Sequence, residues 1–135
     1  MEMVSVHELQ LSIVSPAATY YDGVVKTVQI PTSEGLIGVL PGHAPLLALL
    51  GYGLLTLRDS TGEKQYLIEE GFVEINNNHV VVLANAAEDL AKVTFEKAQA
   101  EYENALAIEP DDDVEAQEKE EKLRSARNKM RFTRP

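Results

Sequence analysis

Three histidines, His7, His43 and His79, are the residues of this chain best suited to hold a metal ion. On a β-rich scaffold they could build the centre of a metal-dependent sandwich enzyme. No two of them share the close spacing, with a glutamate nearby, that a ligand-bearing strand shows, so they read as strand-edge and loop residues. Zero cysteines removes the thiol nucleophile, the disulfide scaffold and the Cys-type zinc site together. The carboxylate pairs Glu69-Glu70 and Glu120-Glu121 read as solvated faces rather than as an acid and its base. There is no Gly-x-Ser-x-Gly elbow, Walker loop or Gly-x-Gly-x-x-Gly, and the glycines from Gly35 to Gly42 lack the lysine that would cradle phosphate. These residues do not describe an enzyme acting alone, and they imply no metal and no cofactor.

A chain of 135 residues with 44% hydrophobic and 25% charged residues suits one soluble globular domain with a small appendage. Its net charge of −10 repels phosphate backbones and argues against nucleic-acid binding. That charge is unevenly spread. Residues 1–87 carry 3 basic and 9 acidic groups, residues 88–121 carry 3 and 13, and residues 122–135 carry 6 and none. The six, Lys122, Arg124, Arg127, Lys129, Arg131 and Arg134, form a basic tip. It is either a solvated helix end that complements the negative pole of the helix dipole or a docking site for an acidic partner.

Met1-Glu2-Met3-Val4 does not open a basic region followed by an apolar run, so no signal peptide is expected and the cytoplasmic side is the default compartment. Gly35 to Leu55 imitates a membrane span, with no formal charge beyond a possible His43. It contains Pro41, Pro45 and five glycines, which would leave broken backbone pairing in lipid, so buried short strands and turns are expected there instead.

Period-two alternation marks strands from Val6 to about Ala84: His7 to Val14 with Leu9, Leu11 and Ile13 on one face, Val24 to Ile30, Gly53 to Arg58, Lys64 to Glu69, Gly71 to Ile75 and Val80 to Leu83. Asp59-Ser60-Thr61-Gly62 and Asn76-Asn77-Asn78 are hairpin turns. Short strands at this spacing suggest a β-sandwich or flattened barrel. From about Asn85 the period becomes helical, with Ala91, Phe95, Ala98, Tyr102 and Ala105 on one seam and a start at an Asn85/Glu88 capping box or at Asp89. That helix should end near Pro110. A second helix, roughly Val114 to Met130, starts at the cap pair Asp112/Glu115 and carries a weak stripe of Ala116, Leu123, Ala126 and Met130. The expected fold is mainly β plus α: an N-terminal β-sandwich over residues 1–87, then an antiparallel two-helix hairpin over residues 88–135 that is too thinly apolar to stand alone.

The stretch Pro31-Thr32-Ser33-Glu34-Gly35-Leu36-Ile37-Gly38-Val39-Leu40-Pro41-Gly42-His43-Ala44-Pro45-Leu46-Leu47 resembles the fingerprint of the epsilon subunit of F-type ATP synthases. Gly71 to Ile75, the asparagine turn and Val80 to Ala84 are similar to the second half of the same signature. The resemblance spans essentially the whole chain and is most specific in its first 87 residues. It implies a non-catalytic rotor subunit of a proton-translocating ATP synthase, peripheral on the cytoplasmic face of a bacterial inner or equivalent energy-coupling membrane. The sandwich would bind the central-stalk gamma subunit and the c-ring. The hairpin would fold back or extend toward the alpha and beta subunits of the catalytic head, where it regulates ATP hydrolysis. Ser33, Glu34, Leu36 and His43 would lie on the c-ring side, and the basic tip would be regulatory. Leu36 departs from the family, several of whose members carry a polar or acidic residue there.

Relatives that bind ATP carry Ile/Leu-Asp-x-x-Arg-Ala at the start of the first helix. Here the Asp, Arg and Ala positions hold Ala91, Thr94 and Phe95. Alanine accepts no side-chain hydrogen bond and threonine offers no cationic fork, so this motif implies no nucleotide binding. The competing reading, from a different class, is a free-standing β-sandwich adaptor that binds an unrelated protein through its helical tail.

Overall fold

The computed structural model describes residues 6–135, which form two compact units dividing between Asp89 and Leu90. In the first, seven strands make one curled sheet: β1 (Leu9–Val14), β2 (Thr19–Val25), β3 (Thr27–Thr32), β4 (Gly35–Val39), β5 (Leu46–Asp59), β6 (Gly62–Asn76) and β7 (His79–Asp89). Their spatial order is β2-β1-β7-β6-β5-β3-β4, with β1 and β7 parallel and every other pair antiparallel. The sheet folds over until β2 touches β5 and β7, which closes a β-sandwich on a core that includes Leu9, Leu11, Ile13, Val28, Ile30, Leu55, Leu57, Ile68, Val73, Ile75, Val80 and Val82. As expected, Leu9, Leu11 and Ile13 share the buried face of β1.

β5, β6 and β7 are creased together. In β5 the buried positions run Leu50, then Gly53, Leu55 and Leu57, so the alternation passes from even to odd numbers. In β6 it passes from Tyr66 and Ile68 to Val73 and Ile75, and in β7 Val80, Val82 and Ala84 give way to Ala87 as the residue packed on the core. The crossing lies at Gly51, Glu70 and Asn85, where the ladder passes from the Leu50–Gly71 pair to the Tyr52–Glu69 pair over one unpaired residue on each strand. Glu70 (φ 45°) and Gly71 (φ 122°) both adopt left-handed backbone there. A Cβ on Gly71 would stand 2.0 Å from the Leu83 carbonyl oxygen, so only glycine fits. The crease explains why period-two reading splits β6 into two strands and starts β5 at Gly53: each arm alternates, but with opposite phase.

Both hairpin turns fall where the sequence puts them. Asp59 closes the β5–β6 turn by accepting from the Thr61 amide (2.8 Å) and hydroxyl (2.6 Å), and it takes the Tyr21 hydroxyl at 2.9 Å. The Thr61 hydroxyl, then Tyr21 and the Thr61 amide, hold the Asp59 carboxyl down to about 2. Burial, then the bond to Asp59, raises the Tyr21 phenol above its ordinary range. Asn77 (φ 49°) and Asn78 (φ 62°) form the β6–β7 turn at the other end of β6.

Two expectations need correction. The helix does not begin at Asn85 or Asp89, because β7 continues to Asp89, where Asp89, Glu88 and Ala87 pair with Tyr66, Leu67 and Ile68. Cross-strand pairing outweighs local capping preference. A 3-10 turn (Leu90–Lys92) follows, and α1 (Phe95–Leu106) starts at Thr94, whose side chain caps the Lys97 amide at 3.3 Å. Secondly, Gly35 to Leu55 does form strands and turns but is not buried throughout, since Leu36, Leu40, Leu47 and Leu49 are exposed.

In the second unit α1 packs against α2 (Asp113–Thr133). Asp112 caps α2 through the Glu115 amide at 2.8 Å, as the spacing predicts, while the Glu115 carboxylate reaches back one residue further, to the Asp111 amide, also at 2.8 Å. α1 ends at Leu106, four residues before Pro110, and Lys119 of α2 clamps it by donating to the carbonyls of Leu106 (3.2 Å) and Ile108 (2.8 Å). The buried positions of α1 are Ala98 and Ala105, both on the expected seam, whereas Ala91 lies before the helix.

Candidate functional site

The outer face of the sheet, between the crease and the β6–β7 turn, is apolar. Strand register puts Leu49 opposite Phe72 and Phe72 opposite Leu83, with Val14 beside Leu83 on β1, so a row crosses four strands. Leu49, Phe72 and Leu83 are 54%, 52% and 51% exposed, and Leu47, one pleat away on β5, is 70% exposed. A clustered row of this kind has the character of a partner-binding surface. Sequence reading missed it because an apolar residue destined for an interface and one destined for the core look alike. The signal was present in Leu46-Leu47-Ala48-Leu49-Leu50, whose apolar residues fill both faces of one strand, although a solvated strand needs only one.

Two loops border this half of the sheet. Ser33 and Glu34 form the β3–β4 turn and are exposed, held by Ser33 N–H donating to the Leu49 carbonyl (2.9 Å) and Glu34 N–H donating to the Thr32 hydroxyl (3.3 Å). Leu36, on the edge strand β4, is 65% exposed. His43 lies three residues before β5, its N–H on the Leu40 carbonyl (3.1 Å) and its ring Nδ1 2.6 Å from the Ala44 carbonyl. A carbonyl can only accept, so Nδ1 carries a proton and, in the neutral ring, Nε2 is left as an acceptor. Ser33 is therefore anchored to Leu49 in the apolar row itself, while the His43 loop is tied to the β6–β7 turn by the Gly42 N–H, which donates to the Asn78 side-chain oxygen at 2.7 Å. Among the described residues no group of three or more His, Cys, Asp or Glu side chains could hold a metal ion.

In the helical unit the basic residues divide by what they touch. Lys129 pairs with Glu101 of α1 at 2.9 Å, and Arg127 lies over the Tyr102 ring, 5.8 Å from its centroid. Arg131 lies over Phe132, and Lys122, Arg124, Arg127, Arg131 and Arg134 are exposed. Tyr102, Arg127, Met130, Arg131 and Arg134 line an open groove of about 430 Å³.

Ala91, Thr94 and Phe95 occupy the 3-10 turn, the cap and the first turn of α1. Thr94 thus serves the helix as its N-cap, a contribution of about 0.5–2 kcal/mol. Millimolar ATP is expected to leave the melting temperature of the isolated chain unchanged, because a ligand stabilises only the state it binds. A clear ATP-dependent rise in a thermal melt would show that other side chains bind the nucleotide.

A curled sandwich with a solvent-facing apolar row, followed by a helical hairpin with a basic tip, is the architecture expected of an accessory subunit held by partners. The chain's residues 8–90 match the family model described as ATP synthase, Delta/Epsilon chain, beta-sandwich domain. Its relatives include the ATP synthase epsilon chains of Microcystis aeruginosa (38% identical over 97 residues, covering 72% of this chain and 70% of that one) and Leptospira borgpetersenii (40% over 100 residues, 72% and 79%). Among solved structures it is similar to a chain of the Euglena gracilis mitochondrial ATP synthase, OSCP/F1/c-ring, with a TM-score of 0.70 and 26% identity over 87% of this chain and 76% of that one. A chain of the Tetrahymena thermophila mitochondrial ATP synthase central stalk and c-ring shares the fold at 16% identity and a TM-score of 0.64, covering 93% of this chain and 96% of that one. This chain belongs to the ATP synthase delta/epsilon family and is a non-catalytic accessory subunit with a coupling role in that enzyme.

Proposed function

We propose that the chain couples the rotor of an F-type ATP synthase to its catalytic head, with the sandwich bound to gamma and the c-ring and the hairpin restraining ATP hydrolysis. The observation that carries this reading is the exposed row Leu49, Phe72 and Leu83, flanked by the Ser33–Glu34 turn and the His43 loop. An apolar, already ordered sheet face can be buried against a partner at little entropic cost, which suits a joint that must hold under load. Gamma covers the row, and Ser33, Glu34, Leu36 and His43 face the c-ring. No helix among the described residues is long and apolar enough to cross a membrane. In this reading attachment is peripheral, through the rotor, on the cytoplasmic face. The Euglena assembly, which contains F1 and a c-ring, lends support by likeness.

The test is a chain ending at Asp89. Truncating two residues earlier, at Ala87, would remove the pairing of Glu88 and Asp89 with Leu67 and Tyr66. The chain ending at Asp89 is expected to bind gamma within about threefold of the full chain, because the row lies wholly in the first unit. Loss of gamma binding would transfer the docking role to the hairpin and favour the adaptor that works through its helical tail.

A further inference from the structure

The turn carrying His43 is held from outside itself. Leu40-Pro41-Gly42-His43 is closed by its own His43 N–H to Leu40 carbonyl bond, with proline in second place and Gly42 in third at φ 88°, the type II arrangement. That closing bond leaves the Gly42 N–H unused. It donates at 2.7 Å to the side-chain oxygen of Asn78, across the β6–β7 turn. Asn78 sits there at φ 62°, a position where glycine is the most comfortable occupant. Asparagine gives up a little turn preference and supplies an acceptor. Its main-chain carbonyl meanwhile receives the Gln10 N–H at 2.8 Å, so β1 fixes the residue that fixes the turn.

We propose that Asn78 is a positioning residue of the docking surface, its side-chain oxygen setting the direction in which the Leu40–His43 turn, with the exposed Leu40 and with His43, meets the c-ring. This rests on the reading that the His43 loop faces the ring. A residue that merely stabilised the fold would lower the melting temperature when replaced. A positioning residue would lower docking while the fold stayed intact.

The two roles separate in the full-length chain with Asn78→Gly and Asn78→Asp. Glycine keeps the positive φ and removes the oxygen, whereas aspartate keeps an oxygen acceptor and tolerates the backbone. Asn78→Gly is expected to melt close to the wild-type temperature. Its Gly42 amide should exchange with solvent about tenfold faster, and its affinity for a purified gamma and c-ring complex should fall about tenfold, with Asn78→Asp restoring both. Wild-type exchange at Gly42 in Asn78→Gly would overturn the tether, and fast exchange with wild-type affinity would overturn the positioning role. The docking reading is judged separately, by whether the wild-type chain binds that complex at all. Should it fail to bind, that reading falls and takes the positioning role with it, whereas Gly42 exchange still reports on the tether.

Discussion

Replacing Leu49, Phe72 and Leu83 together with threonine is expected to detach the chain from gamma while leaving it folded. The three side chains adjoin across neighbouring strands and are already about half in water, so the isolated fold gains little from them. Threonine is β-branched, a geometry that strands favour. Exposed substitutions of this kind usually change stability by about 0.5 kcal/mol or less each, so the melting temperature should move by only a few degrees. Against a partner the balance differs, because full burial of a leucine or phenylalanine is worth about 1.5–3 kcal/mol. Neighbouring losses do not add simply, so a combined loss of about 3–5 kcal/mol, or roughly 10²–10⁴ in affinity, is the expected scale. Calorimetric titration of gamma with the full-length variant, beside its thermal melt, reads both quantities. An unchanged affinity would remove the row from the interface and with it the main support for sandwich docking.

The second large effect concerns the basic tip, whose six cations do two jobs. Lys129 and Arg127 are engaged with Glu101 and Tyr102 within the hairpin, so replacing them loosens α1 against α2. Lys122, Arg124, Arg127, Arg131 and Arg134 are all exposed, and an exposed cation can meet acidic surface on the catalytic head whatever else it touches; Lys122, Arg124, Arg131 and Arg134 are the set to test apart from the α1 contacts. Exposed charge pairs contribute about 0–1 kcal/mol each, so one alanine changes little, whereas four could move an extended-versus-folded balance by about 2–3 kcal/mol. Changing those four to alanine in the assembled complex is expected to raise ATP hydrolysis severalfold while ATP synthesis is largely kept. Changing Arg127 and Lys129 alone serves as the comparison. If only that pair alters hydrolysis, the tip acts by holding the hairpin together; if neither set does, the cations are a solvated helix end that complements its dipole.

The sequence disclosed turns and alternation well and pairing poorly. Asp59 to Gly62 and Asn76 to Asn78 announce themselves because their residue types answer a local backbone demand. Asn85 and Glu88 answer a local demand too, that of a helix start, yet the ladder from Tyr66 to Ile68 draws Ala87 to Asp89 into β7, and no local pattern reports a partner twenty residues away. The Ser33 turn and the His43 loop enter the candidate site through resemblance alone. The apolar row was not legible, because it exists only once β5, β6, β7 and β1 lie in register. The bond from Gly42 to Asn78 was hidden for the same reason.

The crease through Gly51, Glu70 and Asn85 alters how natural variation in this chain should be interpreted. On one side of it, odd-numbered residues of β5 face outward, and Leu47 or Leu49 can become polar with little effect on the fold, at the expense only of the proposed docking. On the other side, odd-numbered residues face inward, and Leu55 or Leu57 can become polar only at the expense of the fold. Two leucines six to ten places apart on one strand, chemically identical, thus answer to different selective pressures. A table of tolerated substitutions for β5 to β7 would look contradictory if scored along each strand as a single alternating series, and becomes consistent once the numbering is divided at the crease.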